Sequence, residues 1–292
     1  MTNQQKSYNS INIKKLEKSI IEIESSIPAE IWAGYKKQAL KNINENIEID
    51  GFRKGMIPEN ILINKIGEMR VWEEMAELAL SRAYAEIIID NKIDAIGKPE
   101  IHITKIAKDN PLEFKAITAV IPEVKLPDYK KIAHEKIKEH LKEFEKETKK
   151  DKESKMDDEK LRISIVEAIG LASKVDLPEL IVKSELNRIE AQFKFDIEQM
   201  GVKLEDYIKH ANKTLEDIHK EWRPHAENRA KWQLVLNQIA KIENLNPSVE
   251  EIEAETNHIL EHHKNANREE VIIYAETVLK NSKVLKFLEE IR

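Results

Sequence analysis

Along the first 120 residues the spacing of apolar positions changes several times, and each change marks an element. In 18–25, Ile21 and Ile23 alternate with Glu22 and Glu24, the period-two pattern of a half-buried strand. Pro28 then opens a helical pattern in which Ile31, Trp32, Tyr35, Ala39 and Ile43 recur at helical spacing. Ile61, Leu62, Ile63 and Ile66 predict a short helix that Gly67 can end, and Val71, Met75, Leu78, Ala79, Ala83, Ile87 and Ile88 predict a longer one. Period two returns where Ile101 and Ile103 alternate with His102 and Thr104, and again through Leu112, Phe114, Ala116 and Thr118. KDNP at 108–111 supplies turn chemistry between these two strands, and Pro122 and Pro127 punctuate the exit. Strands and helices mixed in this way predict an α+β domain.

From Leu161 onward the pattern is almost entirely helical. Ile163, Val166, Ile169 and Leu171 predict one apolar face, with a break near LPEL (177–180); Ile181, Leu186, Ile189 and Phe193 continue on the next helix. MGV (200–202) marks a turn, and Pro224 starts or kinks a helix whose densest stretch is Trp232, Leu234, Val235, Leu236, Ile239 and Ile242. NPSVEEIEAE (246–255) reads as a helix start with Pro247 in the first turn, and a last helix runs from Val271 to Ile291. Of Ile181, Leu186, Phe193 and Leu234, most are assigned to the core.

Between the two halves, residues 128–160 hold 11 Lys/Arg and 11 Asp/Glu in 33 positions. So short and so charged a stretch cannot bury a core of its own. Opposite charges at helical spacing (Glu139–Lys142, Glu143–Lys146, Glu145–Lys149) predict a largely solvated helix, and KKDKESKMDDEK (149–160) is expected to be flexible. The chain thus divides into an α+β domain (1–127), a charged linker (128–160) and a mostly α-helical domain (161–292).

Composition narrows the function. A length of 292 residues suits about two domains, and 41% hydrophobic with only 5% aromatic residues predicts aliphatic cores. Net charge is −6, and residues 1–127 carry 18 Lys/Arg against 19 Asp/Glu, which excludes a broad nucleic-acid-binding surface. The chain has no cysteine, so disulfides, thiolate metal sites and cysteine nucleophiles are excluded. The first 15 residues lack the apolar run of a signal peptide, and no stretch approaches 18 consecutive apolar residues, so a cytoplasmic protein without a membrane partner is expected. Neither a phosphate-binding glycine loop nor GxSxG is present. His258 and His262 stand four apart, with His263 beside them, but no HExxH and no third ligand at fixed spacing accompany them. His225, after Pro224, fits a first helical turn. No catalytic residue, metal or cofactor is expected.

The most specific motif is GFRKGMIP (51–58). The chain has only seven glycines, and two of them, Gly51 and Gly55, fall within five residues. Glycine tolerates positive φ, so the pair predicts a tight loop with Phe52, Arg53 and Lys54 at its tip, and Pro58 and Glu59 suit the first turn of the following helix. One ring and two cations on a tight loop make a small docking tip.

This loop resembles the ribosome-docking signature of the trigger factor family, chaperones of the bacterial ribosome. The resemblance extends to KSIIEIESSIPAEIWAGYKKQALKNI (18–43), to 58–93, to 98–132 and to WRPHAENRAKWQLVLNQIAK (222–241). It implies an α+β N-terminal ribosome-binding domain followed by a helical chaperone domain with arm-like extensions. It implies that Gly51, Phe52, Arg53, Lys54, Gly55 and Pro58 form the ribosome-binding site. Arg53 and Lys54 would meet rRNA phosphate or an acidic side chain of a large-subunit protein at the tunnel exit, and Phe52 an apolar recess. Nascent or unfolded polypeptides would be the clients, shielded without ATP during folding or export, with further links to protein transport and cell division. Family members carry an FK506-binding-type prolyl-isomerase domain between the two parts, and here the 33 residues of 128–160 stand in its place. A holdase independent of the ribosome and a helical adaptor for one folded partner are the alternatives; a weak homodimer and the choice of client stay open.

Overall fold

The computed structural model describes residues 6–147, 155–201, 204–263 and 266–291. By compactness the chain divides into two units, Met1–Ile121 and Pro122–Arg292.

In the first unit, β1 (Ile11–Lys15) and β2 (Ile20–Ile27) are followed by α1 (Ala29–Ala33), α2 (Lys36–Asn46), α3 (Glu59–Ile66) and α4 (Glu68–Asp90), then β3 (Ala95–Lys105) and β4 (Leu112–Val120). The four strands form one antiparallel sheet in the order β1-β2-β4-β3. The alternation seen in the sequence settles which face is buried: Ile21, Ile23, Ser25 and Ile27 of β2 pair with Thr118, Ala116, Phe114 and Leu112 of β4, and all eight are buried. Against them lie Val71, Met75, Ala79, Ala83 and Ile87, spaced to share one face of α4, in a single apolar cluster. The opposite face of the sheet is a charge ladder. Glu24 contacts Lys115 at 2.5 Å and Lys14 at 3.2 Å, and Lys115, Lys14 and Asn12 together hold its carboxyl at about 2.

One strand was not expected from the sequence, and two expectations change. β1 has no apolar face, since only Ile11 is half-buried, and its turn into β2 takes Lys18 and Ser19 to φ of 57° and 49° without a glycine. The helix expected after Pro28 is two helices, α1 and α2, separated by Gly34 and Tyr35. Pro58 precedes α3 as its N-terminal flank, and Glu59 takes the first helical position.

The second unit contains β5 (Val124–Lys125), α5 (Tyr129–Glu147), α6 (Lys155–Ala172), β6 (Lys174–Val175), α7 (Glu179–Gln199), α8 (Leu204–Ala211), α9 (Leu215–Ile242), α10 (Val249–His262) and α11 (Arg268–Glu289). β5 and β6 pair as a short antiparallel ribbon. The main core brings together Ala133 of α5, Ile165 and Ile169 of α6, Val235, Leu236 and Ile239 of α9, and Val284 and Leu288 of α11. Residues 128–160, read from the sequence as a linker, therefore contribute part of this core through α5. The flexibility expected of 149–160 falls mostly outside the described residues, and 155–160 open α6.

On α6 the buried positions are Ile165, Ile169 and Gly170, while Ile163 and Leu171 are exposed, so of the predicted face Ile169 is buried, Val166 is half-buried and the other two face outward. α7 packs on α9 through a separate small cluster of Val182, Leu186 and Ala226. Leu186 is buried as expected, but Ile181, Phe193 and Leu234 are only half-buried. Polar contacts span the same seam: Arg223 grips Glu179 with two bonds of 2.7 and 2.6 Å, Arg229 approaches buried Glu185 at 3.6 Å, and the His219 ring is hydrogen-bonded to Glu190 at 2.7 Å. α9 continues through Pro224, and α9 and α10 begin at capping boxes, Thr214–Asp217 and Ser248–Glu251. Ser248, not Pro247, is thus the start of α10.

Gly170 shows how closely α6 and α9 approach. A β-carbon there would lie 2.6 Å from Nε1 of Trp232. Alanine is worth about 1 kcal/mol over glycine in a helix, whereas forcing an extra methyl into a packed contact costs about 1–3 kcal/mol. Gly170→Ala is therefore expected to lower the urea midpoint of the helical unit, read by tryptophan fluorescence. A raised midpoint would mean that the indole moves aside without cost.

Candidate docking loop

The loop between α2 and α3 is built from two consecutive four-residue turns. Phe52 N–H donates to the Ile49 carbonyl at 3.0 Å, and Met56 N–H donates to the Arg53 carbonyl at 3.0 Å. The third residue of each turn is a glycine, with φ of 85° at Gly51 and 80° at Gly55. That left-handed backbone at the third position is what a type II turn requires. A β-carbon at either glycine would meet nothing within 4 Å, so glycine is needed for conformation and not for space. The two turns fold the segment back on itself and leave residues 51–56 exposed.

The loop is fastened to the core by a residue that the sequence reading did not single out. The side-chain amide of Asn44, on α2, donates to the Ile57 carbonyl at 2.7 Å and accepts from Ile57 N–H at 3.2 Å. The Asn44 carbonyl also accepts from Gly55 N–H at 3.0 Å. Ile57 itself is 3% exposed and belongs to the main cluster of the unit. Beyond it, Pro58 leads into α3, and Lys36 of α2 pairs with Glu59 at 2.9 Å. Asn44 stands third from the end of α2, ahead of the two glycines, but no local signal in the sequence marks it as the residue that braces Ile57.

The six residues expected at the site are thus brought together on one tip, with unequal roles. Gly51 and Gly55 set the turns, and Pro58 sets the way out into α3. Phe52 is 38% exposed and Met56, which the sequence reading passed over, is 73% exposed, so the tip carries two apolar groups rather than one. The Arg53 guanidinium has no ion-pair or hydrogen-bond partner among the described residues. Lys54 does have one: its ammonium lies 2.8 Å from Glu48, and this contact draws the Glu48 carboxyl below its usual range. With both groups largely exposed, the pair contributes little to stability. Its effect is on charge: one of the two cations is already neutralised at rest.

No described group of three or more metal-binding side chains could hold an ion. The His258 and His262 rings sit edge to face, 5.3 Å apart. No described helix is long and apolar enough to cross a membrane.

Comparison with known proteins covers both units. A family model described as "Bacterial trigger factor protein (TF)" matches residues 9–153, and one described as "Bacterial trigger factor protein (TF) C-terminus" matches residues 135–290. The trigger factor of Moorella thermoacetica is 23% identical over an alignment covering 83% of this chain and 84% of that protein. The trigger factor of Natranaerobius thermophilus is 34% identical over 43% of this chain and 28% of its own length. For that of Staphylococcus epidermidis the figures are 31%, 55% and 32%, so the chain spans about a third or less of these two relatives. A solved structure of the trigger factor chaperone, studied for promiscuous substrate recognition in folding and assembly, superposes with a TM-score of 0.56. That superposition covers 96% of this chain and 100% of the other at 14% identity, a likeness of fold. An α+β unit with an antiparallel sheet, a helical unit after it, and matches that run from residue 9 to residue 290 make the chain a member of the trigger factor family of chaperones.

Proposed function

We propose that this chaperone docks at the exit tunnel of the large ribosomal subunit through residues 51–58 and shields nascent chains without ATP. The observation that carries the reading is the build of the loop. Two glycine turns and the Asn44 brace hold a ring, a thioether and a guanidinium without a partner among the described residues outward from a domain of nearly zero net charge. A domain without a basic surface can meet rRNA only locally, and an aromatic group flanked by arginine is the composition of an interface anchor. On this reading Arg53 contacts phosphate or carboxylate directly, Lys54 exchanges Glu48 for the ribosomal anion, and Phe52 with Met56 fills an apolar recess. Gly51, Gly55 and Pro58 keep the shape. A tip of this size forms an interface at the small end of the range, suited to repeated release.

The first domain (1–127) would then be the ribosome-binding part and 161–292 the client-holding part of a cytoplasmic protein. The two family matches overlap at 135–153 and leave no uncovered stretch of about a hundred residues between them, the size of an ordinary small domain. This supports the reading that 128–160 replaces the isomerase domain and that prolyl-isomerase activity is lacking.

Replacing Phe52, Arg53 and Lys54 together by Ala is expected to abolish co-sedimentation with ribosomes while leaving the melting temperature unchanged. Retained binding would favour the ribosome-independent holdase. Asn44→Ala leaves the tip chemistry intact but strips both main-chain groups of Ile57 of their partner. Each unpaired buried group costs about 1–3 kcal/mol, so this variant should lose thermal stability and bind ribosomes about tenfold more weakly. Unchanged binding would show that the loop holds its shape without the brace. One assay addresses the rest: a proline-limited refolding client, mixed with stoichiometric protein and no nucleotide, should aggregate less while its slow phase keeps the uncatalysed rate of tens of seconds. Acceleration of that phase would overturn the loss of isomerase activity, and a requirement for ATP would overturn the mode of client holding.

A further inference from the structure

A second feature of the first unit lies apart from the loop tip. Trp32 of α1, Ile63 of α3, and Val71, Trp72 and Met75 of α4 enclose a cavity of about 200 Å³ that opens beside the β3–β4 turn. We propose that this cavity is a binding site for one aromatic side chain of an unfolded polypeptide, a site in the α+β unit additional to client capture by the helical unit. The inference rests on the reading of this chain as a holder of unfolded chains.

Four observations carry it. The size is right: an apolar cavity of roughly 150 Å³ accepts benzene, so this one has room for a phenyl ring. The walls suit a ring: the half-buried Trp72 indole and Ile63, with exposed Ala33, face the opening above a floor of Trp32, Val71 and Met75, and an indole gains from edge and offset stacking. The walls are also preformed. Trp32, Val71 and Met75 are 2%, 3% and 5% exposed and are held by the core of the unit.

The third observation concerns water. The Trp32 indole N–H donates to the Asn110 carbonyl at 2.9 Å, and no buried side-chain polar atom among the described residues is left without a partner. The indole edge is therefore satisfied from within, and the polar part of the lining is the charged rim, so a ring displaces water from the apolar part. The fourth is charge. The rim carries Lys36 and Lys108 against Glu68 and Asp109, two of each sign and all exposed. A rim so balanced matches a neutral segment of extended chain, whose main-chain carbonyls and N–H groups find donors and acceptors around the mouth. A ligand of high net charge has no complementary field here.

The four tryptophans make the site readable in the intact protein, because Trp32 and Trp72 line it while Trp222 and Trp232 lie in the helical unit. The probe is a blocked Gly/Ser decapeptide with one Phe at its centre, titrated against the full chain with nitrogen-15-labelled indoles; the control peptide carries Ala in place of Phe. The Trp32 and Trp72 indole signals are expected to shift and saturate with the Phe peptide, and the Ala peptide to bind at least tenfold more weakly. Ala33, exposed at the end of α1, lies on the cavity wall. Ala33→Phe should fill the site from within and abolish the shifts at an unchanged melting temperature. The proposal is overturned if only Trp222 or Trp232 responds, if both peptides act alike, or if Ala33→Phe binds as before. Suppression of client aggregation, measured on the same samples, separates the two readings. If it persists without indole shifts, the cavity falls and the holding function stands; if it is absent, the holding function falls as well.

Discussion

Everything that the 51–58 tip presents depends on a pair of hydrogen bonds between one side-chain amide and one residue's main chain. Asn44 sits near the end of α2, and its amide completes both polar groups of Ile57 at the point where the chain enters the core. Without it, Ile57 could be buried only by leaving its N–H and carbonyl unpaired, an arrangement that proteins avoid. With it, the apolar side chain anchors the loop from below and the amide anchors it from the side. The twelve or so main-chain dihedrals of the exposed segment are then constrained at one end, and the glycine turns constrain the remainder. Ordering a loop in advance lowers the entropic cost that any partner would otherwise meet on binding.

The helical unit is organised on a different principle. Its main core is aliphatic and draws on α5, α6, α9 and α11, whereas α7 is joined to α9 by a cluster of three buried residues and a row of ion pairs. Glu185 carries most of the risk in that row. It is 8% exposed and is matched by Arg188 at 2.7 Å and Arg229 at 3.6 Å. A buried carboxylate is tolerable only while its cations remain, so this contact specifies how α7 lies on α9 more than it stabilises the pair. A long helix attached by few apolar groups is among the first parts of a fold to open.

Much of this fold was legible in the sequence, for identifiable reasons. β2 and β4 alternate cleanly because one face is buried and the other is a charge ladder, and α4 has enough apolar positions to declare its period. β1 was not legible: it is an edge strand that buries almost nothing, and Lys18 and Ser19 make its turn without glycine, asparagine or aspartate. The face of α6 was misplaced because Ile163, Ile165, Val166, Ile169 and Leu171 fit more than one stripe, and packing on α5, α9 and α11 selects Ile165 and Ile169, with Gly170 against Trp232. The solvated character expected of 128–160 rested on charge count, which overlooked Ala133, a residue small enough to sit wholly inside a helix contact. The loop tip was readable as a tip. Its brace was not, because an asparagine acts through geometry, and position in the chain does not reveal which main-chain groups it will meet.

The Glu48–Lys54 contact has a thermodynamic consequence for the proposed docking. A free cation that meets a phosphate releases small ions condensed on the nucleic acid, and log affinity then falls by about one unit per tenfold rise in salt for each such contact. Lys54 arrives with its own carboxylate, 2.8 Å away. When it turns to a phosphate it leaves Glu48 behind, and Glu48 must gather a cation from solution in its place. The counterion released on one side is largely taken up on the other. Two basic residues at the tip therefore produce the ionic-strength dependence of about one, which sets attachment by this loop apart from the steeply salt-sensitive adhesion of basic tails.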